Sequence, residues 1–128
     1  MQWNSSLSVG DALVDEQHKR LFNLLESLEH VAADENTGQV HAAVAELNRY
    51  ICEHLRDEEA VLKSFRYKDY EAHCALHHEF ELRLEALSRR LSTEDHYVVL
   101  QDLRDFVQTW LVQHISFVDL RFKPYLLS

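Results

Sequence analysis

Only three residues, Gly10, Gly38 and Pro124, act as backbone breakers in a chain of 128. With Leu, Ala, Glu and Arg abundant between them, so few turn residues force the chain into long helices. A chain of this length makes one domain, residues 1–128, large enough to bury a core. Its 46% hydrophobic content argues against disorder. Residues 1–14 lack helical periodicity and carry Ser5, Ser6, Ser8 and Gly10, which predicts an extended arm. Four periodic stretches follow, at roughly 15–34, 38–65, 69–91 and 93–120.

In the first stretch Leu21, Leu25, Leu28 and Ala32 form the apolar stripe of a bundle helix, and His18 extends it by one step. Asp34 to Gly38 breaks the pattern. The second stripe runs Val40, Val44, Leu47, Ile51, His54, Glu58, Val61 and Phe65, and Phe65 to Asp69 makes the next turn. The third runs Tyr70, His73, His77, Phe80, Leu84, Leu87 and Leu91. Ser92 to Asp95 resembles a capping box with Asp in place of Glu. The fourth stripe carries Leu100, Leu103, Val107, Trp110, His114 and Phe117 before Pro124. Short connections between long helices make neighbours antiparallel, so the expected fold is an all-α, up-down-up-down four-helix bundle with an N-terminal arm.

The polar members of these stripes are the informative ones, since leucine is the ordinary occupant. Antiparallel pairing about turns near residues 36, 65 and 94 sets His18 level with His54, His54 with His77, Glu58 with His73, and His114 with His73. At a rise of about 1.5 Å per residue, these six groups fall within roughly two helical turns of one height. The other histidines behave differently. His30, His41 and His78 lie off the stripes, and His96 begins the fourth helix about 27 Å from His114. Buried imidazole and carboxylate are costly without partners, and a metal supplies one. Asp119 is harder to place. It follows His114 at i, i+5, turned by about 140° on an ideal helix. It reaches the cluster only through a local π-bulge or an oblique approach, and otherwise reads as a surface aspartate.

Five imidazoles and two carboxylates exceed the needs of one ion. They lack the thiolates of structural zinc and the oxygen shell of calcium or magnesium. Imidazole with bridging carboxylate suits iron. Five nitrogens, four carboxylate oxygens and a bridging oxo or hydroxo group bonded to both ions nearly fill the roughly twelve positions of two octahedral ions. One position stays open, of a size for dioxygen or a small anion.

The ordered series His18, His54-x3-Glu58, His73-x3-His77 and His114-x4-Asp119 resembles the hemerythrins, specifically the bacterial ones. So do Trp3 and Leu7 to Gly10 in the arm, Asp15 to His18, and Trp110 one turn before His114. The resemblance covers the whole chain, and the i, i+5 spacing is the family's own. It implies that His73, His77 and His114 hold a coordinatively full iron, that His18 and His54 hold the open one, and that Glu58 and Asp119 bridge them. It implies reversible, end-on dioxygen binding at the open iron, with no side chain needed as acid or base. Leu21, Leu55, Trp110, Leu111 and Ile115 neighbour the ligands and are expected to line an apolar oxygen pocket. Leu55 departs from a family position where an aromatic is common, and Lys68 from one where proline is common.

A net charge of −9 disfavours nucleic acid and anionic membranes as partners. No apolar run approaches the roughly 20 residues of a membrane span, and no signal peptide opens the sequence. Cys52 and Cys74 form neither a Cys-x-x-Cys motif nor a disulfide framework, so a cytoplasmic setting is expected and helix packing is their expected role. The Arg56-Asp57 pair reads as part of a solvated face. The leading expectation is oxygen carriage, storage or local supply without catalysis. Two alternatives are a sensing domain of a larger signalling protein and a di-iron oxidase or peroxidase. The downstream recipient, an oxygen-using or a signalling protein, leaves no motif in the chain.

Overall fold

The computed structural model describes residues 3–34 and 37–126. Four helices, α1 (Ala12–Asp34), α2 (Thr37–Ser64), α3 (Tyr70–Arg89) and α4 (His96–Phe117), form the bundle. A short fifth helix, α5 (Lys123–Leu126), follows. Each of α1 to α4 packs against the next, and α1 closes the ring against α4. This is the antiparallel arrangement that the short connections dictate.

The stripes form the core. Leu21, Leu25 and Leu28 of α1 meet Val44, Leu47 and Ile51 of α2, Phe80 and Leu84 of α3, and Leu100, Leu103 and Val107 of α4. Burying each such side chain contributes about 1.5–3 kcal/mol. Two stripe assignments differ from expectation. Leu62, fully buried, replaces Val61 and Phe65 as the last core position of α2. Phe117 is 66% exposed, because α4 ends there and the stripe ends with it.

The helix ends depart from the sequence reading for reasons of capping. α1 starts at Ala12, inside the expected arm, because the Asp11 carboxylate accepts from the Val14 N–H at 3.0 Å. α4 starts at His96 because Asp95 is the cap, accepting from the Tyr97 and Val98 N–H groups. The expected capping box at Ser92 instead lies in a 3-10 turn, Arg90–Ser92, that extends α3. Pro124 does not terminate a pattern. It sits in the first turn of α5, where its missing N–H costs nothing. The expected break at 34–38 centres on residues 35 and 36, outside the described residues.

At the α2–α3 turn the Tyr67 N–H bonds back to the Leu62 carbonyl and the Arg66 N–H to that of Lys63. This is a Schellman closure with Arg66 in the left-handed region at φ 57°. The arm is not wholly extended either, since Ser5–Leu7 forms a 3-10 turn. Asp15 ties it down, accepting from Ser8 Oγ at 2.6 Å and the Val9 N–H at 2.8 Å. Gly10 takes φ +89°, and an added Cβ there would meet Lys123 Cγ at 3.4 Å. Arm and tail therefore meet at the same end of the bundle as the polar stripe residues.

Candidate metal centre

All seven predicted ligands are buried and converge at that end. His18 projects from α1, His54 and Glu58 from one face of α2, His73 and His77 from one face of α3, and His114 from the last turn of α4. The i, i+4 spacings place each helical pair on a common face. Asp119 does not lie on the continuous helix that the spacing assumed. α4 stops at Phe117, and Asp119 opens a 3-10 turn, Asp119–Arg121, that aims its carboxylate inward. The change of backbone, with no π-bulge, absorbs the odd spacing. His30, His41 and His78 are exposed and His96 lies at the far end, so none joins the cluster.

The arrangement has two sides. On one, the Nε2 atoms of His73 and His77 lie 3.2 and 3.1 Å from Nε2 of His114. On the other, the His18 and His54 rings meet edge to face with centroids 4.7 Å apart. Glu58 lies between them. Its Oε1 is 2.6 Å from His73 Nε2 and 3.2 Å from His77 Nε2, while its Oε2 is 3.4 Å from Nε2 of both His18 and His54. Asp119 divides in the same way. Its Oδ1 is 3.1 Å from His73 and 2.9 Å from His114, and its Oδ2 is 3.4 Å from His18. Two groups of metal-capable donors result: Glu58, His73, His77, His114 and Asp119, and His18, His54 and Glu58. Within each group the donor atoms lie within 4.8 Å of one another.

These atoms do not satisfy one another. Both nitrogens of His18, Oε2 of Glu58 and both oxygens of Asp119 are buried without a hydrogen-bond partner. The Asp119 oxygens lie at ion-pair distance from imidazoles, yet out of hydrogen-bond alignment. Unpaired buried acceptors cost about 1–3 kcal/mol each, more when charged. Converging nitrogen lone pairs and divided carboxylates fit a pair of cations.

The protonation chemistry agrees. Burial pushes the Glu58 carboxyl up, but the imidazoles of His114, His18, His54 and His73 outweigh it and hold it well below the ordinary range. Burial alone depresses His114, yet Asp119 and Glu58 raise it to about 9. His73 is raised by the same two carboxylates against its burial. His54 goes the other way, lowered mainly by burial. Without metal, the raised rings of His114 and His73 favour protons beside Glu58, where cations would otherwise lie.

Two residues escaped sequence reasoning. Gln17 accepts from His54 Nδ1 through Oε1 at 2.7 Å and donates through Nε2 to Asp57 at 2.7 Å. Glu59 accepts from His77 Nδ1 at 2.8 Å and pairs with Arg56 at 3.3 Å. Arg56 also pairs with Glu81. Arg56 and Asp57 are therefore the outer ends of two chains reaching the centre, not merely a solvated face. The signal was available, since Gln17 and Glu59 each adjoin a ligand in sequence.

Of the five expected pocket residues, Leu21, Leu55, Leu111 and Ile115 are buried. Trp110 is half-buried, and it stands on the three-histidine side. Its ring stacks on His114 at 4.2 Å and 12° and on Phe80 at 3.9 Å and 17°. Phe106 continues the stack from Phe80 at 5.3 Å. Cys52 and Cys74 are free thiols, and the exposed Cys52 places its Sγ 4.0 Å from Glu81 Oε2 on α3.

Known proteins are similar to this chain over nearly its whole length. The family model described as hemerythrin HHE cation binding domain matches residues 9–126. The bacteriohemerythrin of Methylococcus capsulatus is 29% identical over 127 residues, covering 98% of this chain and 96% of its own. The myohemerythrin of Sipunculus nudus is 29% identical over 121 residues, covering 94% and 89%. A wild-type hemerythrin crystal structure matches with a TM-score of 0.88 at 28% identity, covering 100% of this chain and 98% of that one. With a family match across nearly its whole length, and a centre of five buried histidines and two divided carboxylates, the chain belongs to the hemerythrin family.

Proposed function

We propose that this chain binds dioxygen reversibly at a carboxylate-bridged pair of iron ions. In this reading residues 1–128 act as one unit, and dioxygen or a small anion is the exogenous ligand. The division of Glu58 and Asp119 between an imidazole trio and an imidazole pair carries the proposal, because it makes the two positions unequal by one nitrogen. His73, His77 and His114 would hold one ion, His18 and His54 the other, and Glu58 and Asp119 would bridge. A pair of iron ions so held supplies two electrons that dioxygen can take up and return.

The chain's own residues do the rest. Leu21, Leu55, Leu111 and Ile115 are buried and neighbour the ligands in sequence, so they would offer apolar surface that excludes water and the protons that promote irreversible oxidation. Trp110, stacked between Phe80 and His114, fixes the His114 ring. Gln17 and Glu59 hold Nδ1 of His54 and His77, leaving Nε2 for metal. Five imidazoles to two carboxylates also contrast with the glutamate-rich sets of oxygen-activating ferritin-like proteins. That contrast favours holding oxygen over cleaving it.

Among the described residues no helix is long and apolar enough to cross a membrane. The free thiols Cys52 and Cys74 fit a reducing, cytoplasmic setting.

The test is to reduce the iron-loaded protein without air, admit dioxygen, then remove it while recording the visible spectrum. Carriage predicts an absorption band that comes and goes over repeated cycles. Immediate irreversible oxidation with substrate turnover would favour an oxidase, and retention of fewer than about two irons per chain would end every di-iron reading.

A further inference from the structure

Behind the two sides of the centre stand two different chemical groups. His77 leans on the carboxylate of Glu59, and His54 leans on the carboxamide of Gln17. Both supports are only 9% exposed, and both hydrogen bonds to Nδ1 are short, at 2.8 and 2.7 Å. Geometry is thus equal on the two sides, while charge is not.

A carboxylate accepting from Nδ1–H pushes electron density toward Nε2 and makes the imidazole a better donor, whereas an amide carbonyl does so much less. The outer links do not cancel this difference. Arg56 stands 3.3 Å from Glu59, but its side chain is 56% exposed and is shared with Glu81. Asp57 lies beyond Gln17, one hydrogen bond further from the His54 ring than Glu59 is from the His77 ring, so it acts on its imidazole more weakly.

We propose that Gln17 and Glu59 are positioning residues that set the metal affinities of the two halves apart. The carboxylate behind His77 tightens the His73/His77/His114 half. The neutral amide behind His54 leaves the His18/His54 half the looser one, the half that fills last and empties first. The inference rests on the two-metal reading above and adds the order of filling to it.

Exchanging the supports tests it. Glu59→Gln keeps the acceptor for His77 Nδ1 and removes the charge. Gln17→Glu alone would set a carboxylate against Asp57, so it is paired with Asp57→Asn, which restores a donor there; Asp57→Asn alone is the control. The metal-free full chain is titrated with cobalt(II), which reports each binding step by its visible bands and needs no oxygen chemistry. The wild type should take up two cobalt ions in resolved steps. Glu59→Gln should weaken the tighter step about 10–100-fold and leave the looser one in place. Gln17→Glu with Asp57→Asn should strengthen the looser step by a similar factor, a gain that lost packing cannot produce.

A second readout uses no bound metal. In the proton NMR spectrum of the metal-free chain, the Nδ1–H of His77 should lie downfield of that of His54, and Glu59→Gln should move it upfield. Both steps staying within twofold of wild type in both exchanged variants, or Glu59→Gln weakening both steps equally, would overturn the proposal. A wild type that takes up fewer than two cobalt ions would remove the two-metal reading itself, and the inference with it.

Discussion

Without metal, the chain should become less stable as the pH rises from 6.5 to 9. His114 sets the size of the effect. Its burial favours the neutral ring, but Asp119 and Glu58 outweigh burial and raise it from 6.5 to about 9. A histidine raised on folding stabilises fully below its unfolded value, and that contribution is lost as the pH climbs through the folded one. The gap of about 2.5 pH units, at about 1.36 kcal/mol each, amounts to about 3 kcal/mol. That is a large part of the roughly 5–15 kcal/mol that holds a domain together.

His73 is raised by the same carboxylates and adds in the same direction. The raised thiols of Cys52 and Cys74 add in the same direction at the upper edge of the window, and the remaining perturbed groups act outside it. Glu58 is depressed, so its contribution is constant here and is lost only in acid. His54 is lowered, mainly by burial, and destabilises only as the pH falls below 6.5. Tyr50 and Tyr67 are raised by burial and matter above about 10. Urea unfolding followed by circular dichroism, in the presence of a chelator, should place the midpoint about 1–2 M lower at pH 9 than at pH 6.5, for a slope near 2 kcal/mol per molar. Metal reverses the slope, since it needs neutral imidazoles and displaces the protons they carry. A midpoint that stays flat or rises with pH in the metal-free protein would refute the reasoning.

Three further outcomes are expected. His54→Ala leaves its side with one imidazole, so bound iron should fall from about two ions per chain toward one; elemental analysis of the desalted protein checks this, and a full complement with normal oxygen cycling would reverse the assignment of sides. Phe122 is fully buried against Phe65, Tyr67 and His73, so Phe122→Ala should cost about 3–5 kcal/mol by urea denaturation and loosen metal at Asp119. Arg66 occupies a left-handed position that glycine adopts freely, so Arg66→Gly should raise stability by about 1 kcal/mol, read as a higher melting temperature.

The helices and most of the centre were legible because one rule writes both. A core-facing position recurs every three or four residues, and His18, His54, Glu58, His73, His77 and His114 occupy such positions where leucine belongs. Heights followed from pairing the helices about short turns. Asp119 was legible only through family resemblance, since it lies past the helix end, where the helical repeat no longer governs which way a side chain points. Phe117 was misplaced for the same reason. Gln17 and Glu59 were missed because each sits one residue from a ligand, off the stripe, and only the packing of a neighbouring helix buries it. The helix starts at Ala12 and His96 depend on which aspartate, Asp11 or Asp95, turns its carboxylate onto the first N–H groups. Ser92 offered an equally good sequence cap and lost to that geometry.

The two carboxylates at the heart of the centre differ in how they are mounted. Glu58 stands within the 28-residue helix α2, braced by hydrogen-bonded turns before and after it. Asp119 hangs on a three-residue turn, secured by the Phe122 N–H at 3.1 Å and by the Phe122 ring, which packs against His73. Glu58 is thus fixed by the whole of α2, whereas Asp119 is set by one short turn and one ring, so a small change at residues 119–122 would shift one carboxylate of the centre and leave the bundle in place.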